Sequence, residues 1–301
     1  MDDATLKDAE IRDWNWAVLP EGAVSTRFSA PSGSLAMVSM GKPHNPRVVL
    51  VPGATGSKED FAVMMPELAE AGFYVLSYDL AGQYESAGAG PENLVPPRKH
   101  YDYELFVNDF IAVLESGDVP AHVVGYSFAA IVAQVAFSQR PELFRSFTFL
   151  SCPPLTGQCF RGLSRIGPFT GWANGRVGAA LMIWGIRRNV NKVSPNRLRF
   201  GVSPNRLRFV RNRFRFTRRQ SVRDIYELMK NVPDLRQTLA AAKVPKFVAV
   251  GEHDLWPLAL HRQFAQSIGA RISVYRGGHS PSETSPHQFG RDLLAMYAAG
   301  T

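Results

Sequence analysis

The apolar residues of the chain form two kinds of segment that alternate along most of its length. Short, almost wholly apolar runs are typical of strands buried on both faces, and apolar residues that recur every three or four positions are typical of helices. The runs predict strands over 47–51, 73–78, 121–125, 147–150, 246–250 and 271–275, after a hairpin over 24–29 and 34–39. The spacing predicts helices over 57–72, 101–116, 128–138, 257–268 and 286–298. This order predicts an α/β fold with a mostly parallel, doubly wound sheet of about eight strands.

The alternation stops between residues 154 and 243, where no run resembles a buried strand. A stretch of this length is too long for a loop in a compact domain. We therefore expect a mainly helical insertion, called the cap below, between two parts of one core at 1–153 and 244–301. The cap contains Val-Ser-Pro-Asn-Arg-Leu-Arg-Phe twice, at 193–200 and 202–209. Two copies are too few for a solenoid, which favours a local duplication in a tolerant surface segment.

The charge of the chain is unevenly distributed. The net charge is +8, yet residues 161–219 contain fifteen Lys and Arg and no Asp or Glu, so the remainder is acidic. Arg and Phe alternate over 206–219. This pattern fits a solvated cap helix whose arginine stems cover apolar surface, or a surface that attracts an anionic substrate or an anionic membrane. Nucleic-acid binding is disfavoured because the rest of the protein is acidic.

Composition also limits the setting of the protein. Cys152 and Cys159 are the only cysteines, too few for a disulfide framework, which favours a reducing cytoplasmic location. The first residues are acidic and polar, unlike a signal peptide. No stretch approaches the eighteen apolar residues of a membrane-spanning helix. Neither cysteine belongs to a group of metal ligands, and no metal site is expected.

A first chemical signal is the sequence Gly125-Tyr-Ser127-Phe-Ala129, which lies between a predicted strand and a predicted helix. A serine on such a sharp turn, flanked by small residues, is the setting of a nucleophile elbow. The start of the following helix favours negative charge that develops at the hydroxyl. A serine that only caps the helix is the alternative interpretation.

Two further side chains follow strands later in the chain. Asp254 follows the strand at 246–250, and His279 follows the strand at 271–275. The order Ser, Asp, His is that of hydrolases with a nucleophile elbow. Histidine activates a serine at neutral pH, and a carboxylate fixes its tautomer and stabilises the imidazolium. The alternatives considered for these roles are Glu252, His253 and Asp79. His261 and His287 lie on predicted helices and are expected at the surface. The other histidines, His44, His100 and His122, have no catalytic neighbour in sequence.

With these three residues and their order, the chain resembles the α/β-hydrolase superfamily, in the branch of cap-bearing esterases, C–C hydrolases and haloperoxidase-like enzymes. Residues 79–86, Asp-Leu-Ala-Gly-Gln-Tyr-Glu-Ser, resemble the segment after the family's fourth strand, with Tyr84 in place of a glycine. Residues 278–281, Gly-His-Ser-Pro, resemble the run into the last helix, and Glu283 stands one place earlier than usual. The resemblance covers 24–153 and 244–299.

The resemblance also implies an oxyanion hole. Its first donor would be the backbone N–H of Ala54, in the Pro-Gly-Ala-Thr-Gly sequence at 52–56, and its second the N–H of Phe128. Two preorganised donors of this kind stabilise a tetrahedral intermediate by several kcal/mol, on the order of 3 each. The family's usual His-Gly is Pro52-Gly53 here, and its last elbow glycine is Ala129.

The expected function is therefore hydrolysis of a carboxylic ester or thioester through a triad of Ser127, His279 and Asp254, with no cofactor. A C–C hydrolase, a lactonase, an aminopeptidase or a perhydrolase would use the same triad, and a non-catalytic ligand-binding protein would use the same fold. The expected partner is a small acyl substrate, with anionic and lipid-like compounds among the candidates. Side chains considered for the substrate pocket are Tyr126, Trp172, Trp184 and Trp256.

Overall fold

One eight-stranded sheet forms the centre of the protein. The computed structural model describes residues 2–163, 177, 180 and 204–299. The sheet order is β1-β2-β4-β3-β5-β6-β7-β8; β2 pairs antiparallel with β1 and β4, and every other pair is parallel. The strands are β1 (Val24–Ala30), β2 (Gly33–Met40), β3 (Arg47–Val51), β4 (Tyr74–Tyr78), β5 (Ala121–Tyr126), β6 (Phe144–Leu150), β7 (Lys246–Gly251) and β8 (Arg271–Tyr275). The predicted fold class is confirmed.

Helices cover both faces of this sheet. Among the described residues they are α1 (Asp3–Glu10), α2 (Met65–Glu70), α3 (Tyr103–Glu115), α4 (Phe128–Gln139), α5 (Pro204–Phe216), α6 (Arg219–Leu228), α7 (Arg236–Ala241), α8 (Leu258–Ser267), α9 (Pro281–Thr284) and α10 (Pro286–Ala299). Short 3-10 helices lie at Lys58–Phe61, Tyr84–Ser86, Pro91–Asn93, Pro141–Leu143 and Cys159–Gly162. The segment predicted as one helix over 57–72 is therefore a 3-10 turn followed by α2, which begins one residue before Pro66.

The apolar runs of the central strands explain the two layers of helices. Successive side chains of a strand point to opposite faces. Val49 and Val51 of β3 belong to a buried cluster with α3, α4 and α8, whereas Val48 and Leu50 belong to a second cluster with α2 and α10. Because apolar residues occupy every position of such a strand, helices pack on both of its faces. The loops at the carboxyl end of the strand are therefore attached to a rigidly packed element.

The N-terminal segment is ordered, although its sequence pattern predicts no element. Asp8 of α1 accepts hydrogen bonds from the backbone N–H groups of His287 and Gln288, at the first turn of α10. These N–H groups have no partner within their own helix, so a carboxylate there is favourable. Trp16 is fully buried, and the guanidinium of Arg206 lies 4.9 Å from the centre of its ring.

Between β6 and β7, the described residues contain the helices α5 to α7, the 3-10 helix at Cys159–Gly162 and no strand. This agrees with a helical insertion, and its boundaries at 154 and 243 stay a prediction. The first copy of the eight-residue sequence lies outside the described residues, while the second enters α5 at Pro204. The expectation that the repeat is a surface segment is wrong for the second copy, because Arg206 and Phe209 are buried.

A buried cluster of four charges attaches α5 to the core. Arg206 binds Asp60 and Glu283 through a 2.9 Å hydrogen bond to each, and Arg213 lies 2.6 Å from the same Asp60 oxygen. All four side chains are almost wholly buried. Burial raises the pKa of Asp60, but the charges of Arg213 and Arg206 outweigh it, so that the pKa lies below its ordinary value. The interpretation of residues 206–219 as a solvated cap helix is therefore wrong for the charged groups of Arg206 and Arg213.

Removing one cation from this cluster should destabilise the protein far more than removing an exposed one. In an Arg206→Met variant, two buried carboxylates lose their shared partner, a change that typically costs about 3–5 kcal/mol. Arg208→Met is the matched control, since Arg208 lies two residues away on the exposed side of α5. Urea unfolding should give a large loss of unfolding free energy for the first variant and little change for the second. Equal losses would contradict the role assigned to the buried cluster.

Candidate active site

Ser127 stands on the turn that joins β5 to α4. Its backbone has φ 52° and ψ −117°, in the left-handed half of the map that residues with a side chain rarely adopt. A hydrogen bond of 2.8 Å from Ser127 N to Leu150 O holds the turn against β6. Gly125 has no room for a side chain, because an added Cβ would lie 2.7 Å from the Cα of Ala130. The turn therefore needs a small residue two positions before the serine, as an elbow does.

His279, in the loop after β8, contacts Ser127, and Asp254, in the loop after β7, contacts His279. The Oγ of Ser127 lies 3.1 Å from Nε2 of His279, and Nδ1 of the same imidazole lies 2.9 Å from Oδ2 of Asp254. The carboxylate accepts a hydrogen bond, so Nδ1 must carry the ring proton. Nε2 is therefore unprotonated and can accept the proton of the serine hydroxyl. The structure thus brings together the three side chains that sequence order selected.

Asp254 is buried and negatively charged. Burial raises the pKa of Asp254, but the charge of His279 and the hydrogen bonds from His261 and His279 more than offset it. The pKa of this carboxyl therefore lies well below its usual range, and it is ionised at neutral pH. A fixed negative charge beside Nδ1 is what stabilises an imidazolium when the ring accepts a proton.

His261 is the residue that sequence analysis placed wrongly. It was expected at the surface of its helix, but it is fully buried in α8, and its Nε2 lies 3.2 Å from Oδ1 of Asp254. The side of a helix that faces the core can be inferred from apolar spacing, but a polar residue on that side gives no such signal. The sequence offers only that His261 lies near Asp254, seven residues later and in the helix that follows its loop.

The other acids and histidines considered lie in different environments. Glu252 and His253 are exposed and contact each other, and His287 is half-buried beside Glu67. His122 is buried within β5, where its Nδ1 contacts Ser146.

Asp79 has partners of its own. It accepts hydrogen bonds from the backbone N–H groups of Lys58 and Glu85, at 2.7 and 3.2 Å, and from the ammonium group of Lys58 at 3.4 Å. Its oxygens are thus engaged at a different place from the imidazole of His279. Asp254, the acid selected from its position after β7, is the carboxylate that contacts this imidazole.

The loop at 52–56 lies directly beside the serine. A Cβ added to Gly53 would be 3.0 Å from the Cβ of Ser127, so a side chain at this position would crowd the serine. The N–H of Thr55 donates to the side chain of Gln83 and the N–H of Gly56 to the carbonyl of Gly53. The first four N–H groups of a helix have no intrahelical partner, and Phe128 is the first residue of α4. The assignment of the Ala54 and Phe128 N–H groups as the oxyanion hole stays a prediction.

Two of the four side chains considered for the pocket flank the imidazole. The rings of Tyr126 and Trp256 are centred 5.4 and 5.9 Å from that of His279. The Tyr126 hydroxyl contacts Ser280, and the Trp256 indole donates to the carbonyl of Cys159. Both rings are therefore held in place by their polar ends. Trp172 and Trp184 lie outside the described residues, and Cys152 and Cys159 are free, buried thiols.

Comparison with known proteins identifies the family. A sequence model described as the alpha/beta hydrolase family matches residues 48–291. The chain belongs to the alpha/beta hydrolase family. No curated protein matches this hydrolase. In the part of the chain that the structure describes, no helix is long and apolar enough to cross a membrane.

Solved structures share the fold of this alpha/beta hydrolase at low sequence identity. They include a hydrolase from Pseudomonas aeruginosa PA01 (22% identity, TM-score 0.70, 90% of this chain and 97% of that one). An enol-lactonase from Burkholderia xenovorans LB400 has 19% identity and a TM-score of 0.72, over 91% of this chain and 100% of the enol-lactonase chain. A thermophilic esterase from Thermogutta terrifontis has 16% identity and a TM-score of 0.72, over 92% of this chain and 99% of the esterase chain. At these identities the likeness shows a common fold.

The close packing of the elbow predicts that Gly125 does not tolerate a larger residue. A Gly125→Ala variant would force a methyl group against the backbone of Ala129 and Ala130, and such overpacking typically costs about 1–3 kcal/mol of unfolding free energy. Gly88→Ala is the control, because Gly88 is exposed and an added Cβ there meets no atom within 4 Å. Denaturant unfolding should show the loss only in the first variant. An unchanged Gly125→Ala would contradict the close packing of the elbow.

Proposed function

We propose that this alpha/beta hydrolase is a serine hydrolase that cleaves carboxylic esters or thioesters through an acyl-enzyme. The observation that carries the proposal is the continuous hydrogen-bonded row from Ser127 through His279 to Asp254. A serine that merely capped α4 would have no need of an imidazole aligned with its hydroxyl. Its strained backbone also agrees with a functional role, because strain of this kind is concentrated at active sites.

In the first half of the reaction, Oγ of Ser127 attacks the carbonyl carbon of the substrate. Nε2 of His279 accepts the hydroxyl proton, and Asp254 stabilises the resulting imidazolium. The carbonyl oxygen becomes an oxyanion, which the N–H groups of Ala54 and Phe128 would bind. As the tetrahedral intermediate collapses, the bond to the leaving oxygen or sulfur breaks and the imidazolium returns its proton to that atom. The product alcohol or thiol departs, and the acyl group stays on Ser127.

In the second half, a water molecule replaces the leaving group. His279 takes a proton from this water, and the hydroxide attacks the acyl carbon. Collapse of the second tetrahedral intermediate breaks the bond to Oγ of Ser127, which recovers its proton from the imidazolium. The carboxylic acid is released, and the enzyme returns to its starting state without any cofactor.

The chemistry at the carbonyl leaves the choice of acyl compound open. A lactone is a cyclic ester, and one protein of the same fold is named an enol-lactonase while another is named an esterase. We therefore place esters, including lactones, ahead of C–C bonds, amides and perhydrolysis. Hydrolysis rates for a panel of p-nitrophenyl esters, lactones and thioesters distinguish these substrates.

Covalent labelling tests the proposed nucleophile. A fluorophosphonate probe should label the native protein, and Ser127→Ala should lose the label together with at least about a thousandfold of esterase activity. Ser138→Ala is the control, since Ser138 is an exposed serine on α4 whose hydroxyl only bonds a backbone carbonyl.

Two results would contradict the proposal. Equal labelling of the Ser127→Ala variant and the native protein would exclude Ser127 as the nucleophile. A native protein that is neither labelled nor active on any ester, but whose melting temperature rises with a ligand, would support the non-catalytic alternative.

We also propose that the exposed side of α5 binds an anionic membrane surface, where a lipid-like acyl substrate would be found. Arg208, Arg211 and Arg215 are exposed at a spacing of three and four residues, next to an exposed Phe216. This helix contains no acidic residue. Basic side chains near an anionic lipid surface contribute about 1 kcal/mol each, and an adjacent aromatic ring inserts into the interface.

Vesicle sedimentation tests this surface. The native protein should pellet with phosphatidylserine-containing vesicles and stay in solution with phosphatidylcholine vesicles. A variant with Arg211→Gln and Arg215→Gln loses about 2 kcal/mol and should bind the anionic vesicles roughly thirtyfold more weakly. The control removes two exposed charges elsewhere, with Lys243→Gln and Arg262→Gln, and should bind as the native protein does. Equal binding to both kinds of vesicle would contradict the proposal.

A further inference from the structure

Both oxygens of the Asp254 carboxylate are engaged, and a second histidine holds one of them. Oδ2 faces Nδ1 of His279 at 2.9 Å. Oδ1 accepts from Nε2 of His261 at 3.2 Å and from the backbone N–H of Trp256 at 3.2 Å. Three donors therefore surround one buried charge, and only one of them belongs to the side chain that contacts Ser127.

His261 is placed there by the way α8 begins. The helix starts at Leu258, just after the loop that carries Asp254, and His261 lies in its first turns with no exposure to solvent. Its Nδ1 is buried and has no hydrogen-bond partner among the residues that the structure describes. The ring thus has one engaged nitrogen, which faces the carboxylate, and one unengaged nitrogen inside the core.

This asymmetry selects one form of the ring. An ionised carboxylate accepts hydrogen bonds, so the nitrogen that faces it must carry a proton. A second proton, on Nδ1, would place an unpaired N–H and a positive charge in the core, which is costly. The neutral ring with its proton on Nε2 satisfies both conditions.

From this geometry we infer that His261 is a positioning residue for the reaction, acting as a neutral hydrogen-bond donor that orients Asp254. The inference rests on the proposed function of Ser127, His279 and Asp254. Because the terminal torsion of an aspartate is broad, donors on one oxygen decide where the other oxygen points. His261 and the Trp256 N–H hold Oδ1, which turns Oδ2 towards His279. Because His261 donates a hydrogen bond without carrying a charge, it does not neutralise Asp254. The negative charge of Asp254 can then stabilise the imidazolium of His279.

Two variants separate the hydrogen bond from the shape of the side chain. His261→Gln keeps a donor, because the amide nitrogen of glutamine is as many bonds from Cβ as Nε2 of histidine. His261→Leu fills much of the same space and donates nothing. We expect kcat of the leucine variant to fall roughly ten- to hundredfold with little change in KM, since misplacement of a catalytic group has effects of this size. The glutamine variant should stay within about threefold of the native enzyme.

The pH profile gives a readout that a purely structural role would not change. Without the donor, the charge of Asp254 is concentrated on His279 and favours its protonated form. The acid limb of kcat/KM should therefore move to higher pH in His261→Leu and return to the native position in His261→Gln. Unfolding measurements on both variants confirm that they are folded. Native activity in His261→Leu, or equal losses in both folded variants, would overturn the inference.

An NMR measurement keeps this test separate from the proposed function. If the native protein fails to react with a fluorophosphonate, the proposed function has failed, and the nitrogen-15 shifts of the His261 ring then decide the inference alone. They support it if Nε2 carries the ring proton and Nδ1 does not. A proton on Nδ1 overturns it.

Discussion

The candidate site depends on one buried negative charge at the carboxyl end of β7. Asp254 is almost wholly removed from solvent, and an ionised carboxylate is stable there only because three donors surround it. Each donor comes from a different part of the local fold: the loop itself, α8, and the loop after β8. The same contacts that make the charge tolerable also fix the imidazole of His279 against Ser127. Stability and chemistry therefore share one set of hydrogen bonds.

A second set of charges connects α5 to the elements beside this site. Asp60 lies in the 3-10 turn after the loop at 52–56, and Glu283 lies in α9, four residues after His279. Arg206 of α5 binds both. A buried ion pair adds little net stability, but it fixes which surfaces meet, because an unpaired partner would be costly. The arginines of α5 thus fall into two groups, a buried pair that docks the helix and an exposed row that faces solvent.

The sequence predicts the sheet and the positions of the three candidate catalytic residues because both follow from short-range patterns. An apolar run gives a buried strand, and residues just after neighbouring parallel strands meet at one edge of the sheet. Ser127, Asp254 and His279 all stand at such positions. The burial of Arg206 has no local signal, since its partners Asp60 and Glu283 are 146 and 77 positions away. His261 was misplaced for a similar reason: its partner is a single carboxylate, and apolar periodicity contains no information about it. The eight residues of α1 were missed because an isolated short helix is marginal, and its contacts with α10 stabilise it.

The central claim is that the hydroxyl of Ser127 carries the acyl group during turnover. Acid quenching of the enzyme during hydrolysis of a p-nitrophenyl ester, followed by peptide mass mapping, tests this directly. The account predicts the added mass of the acyl group on the peptide that contains Ser127 and nowhere else. Acyl mass on a different residue, or turnover that continues at the native rate in Ser127→Ala, would contradict it.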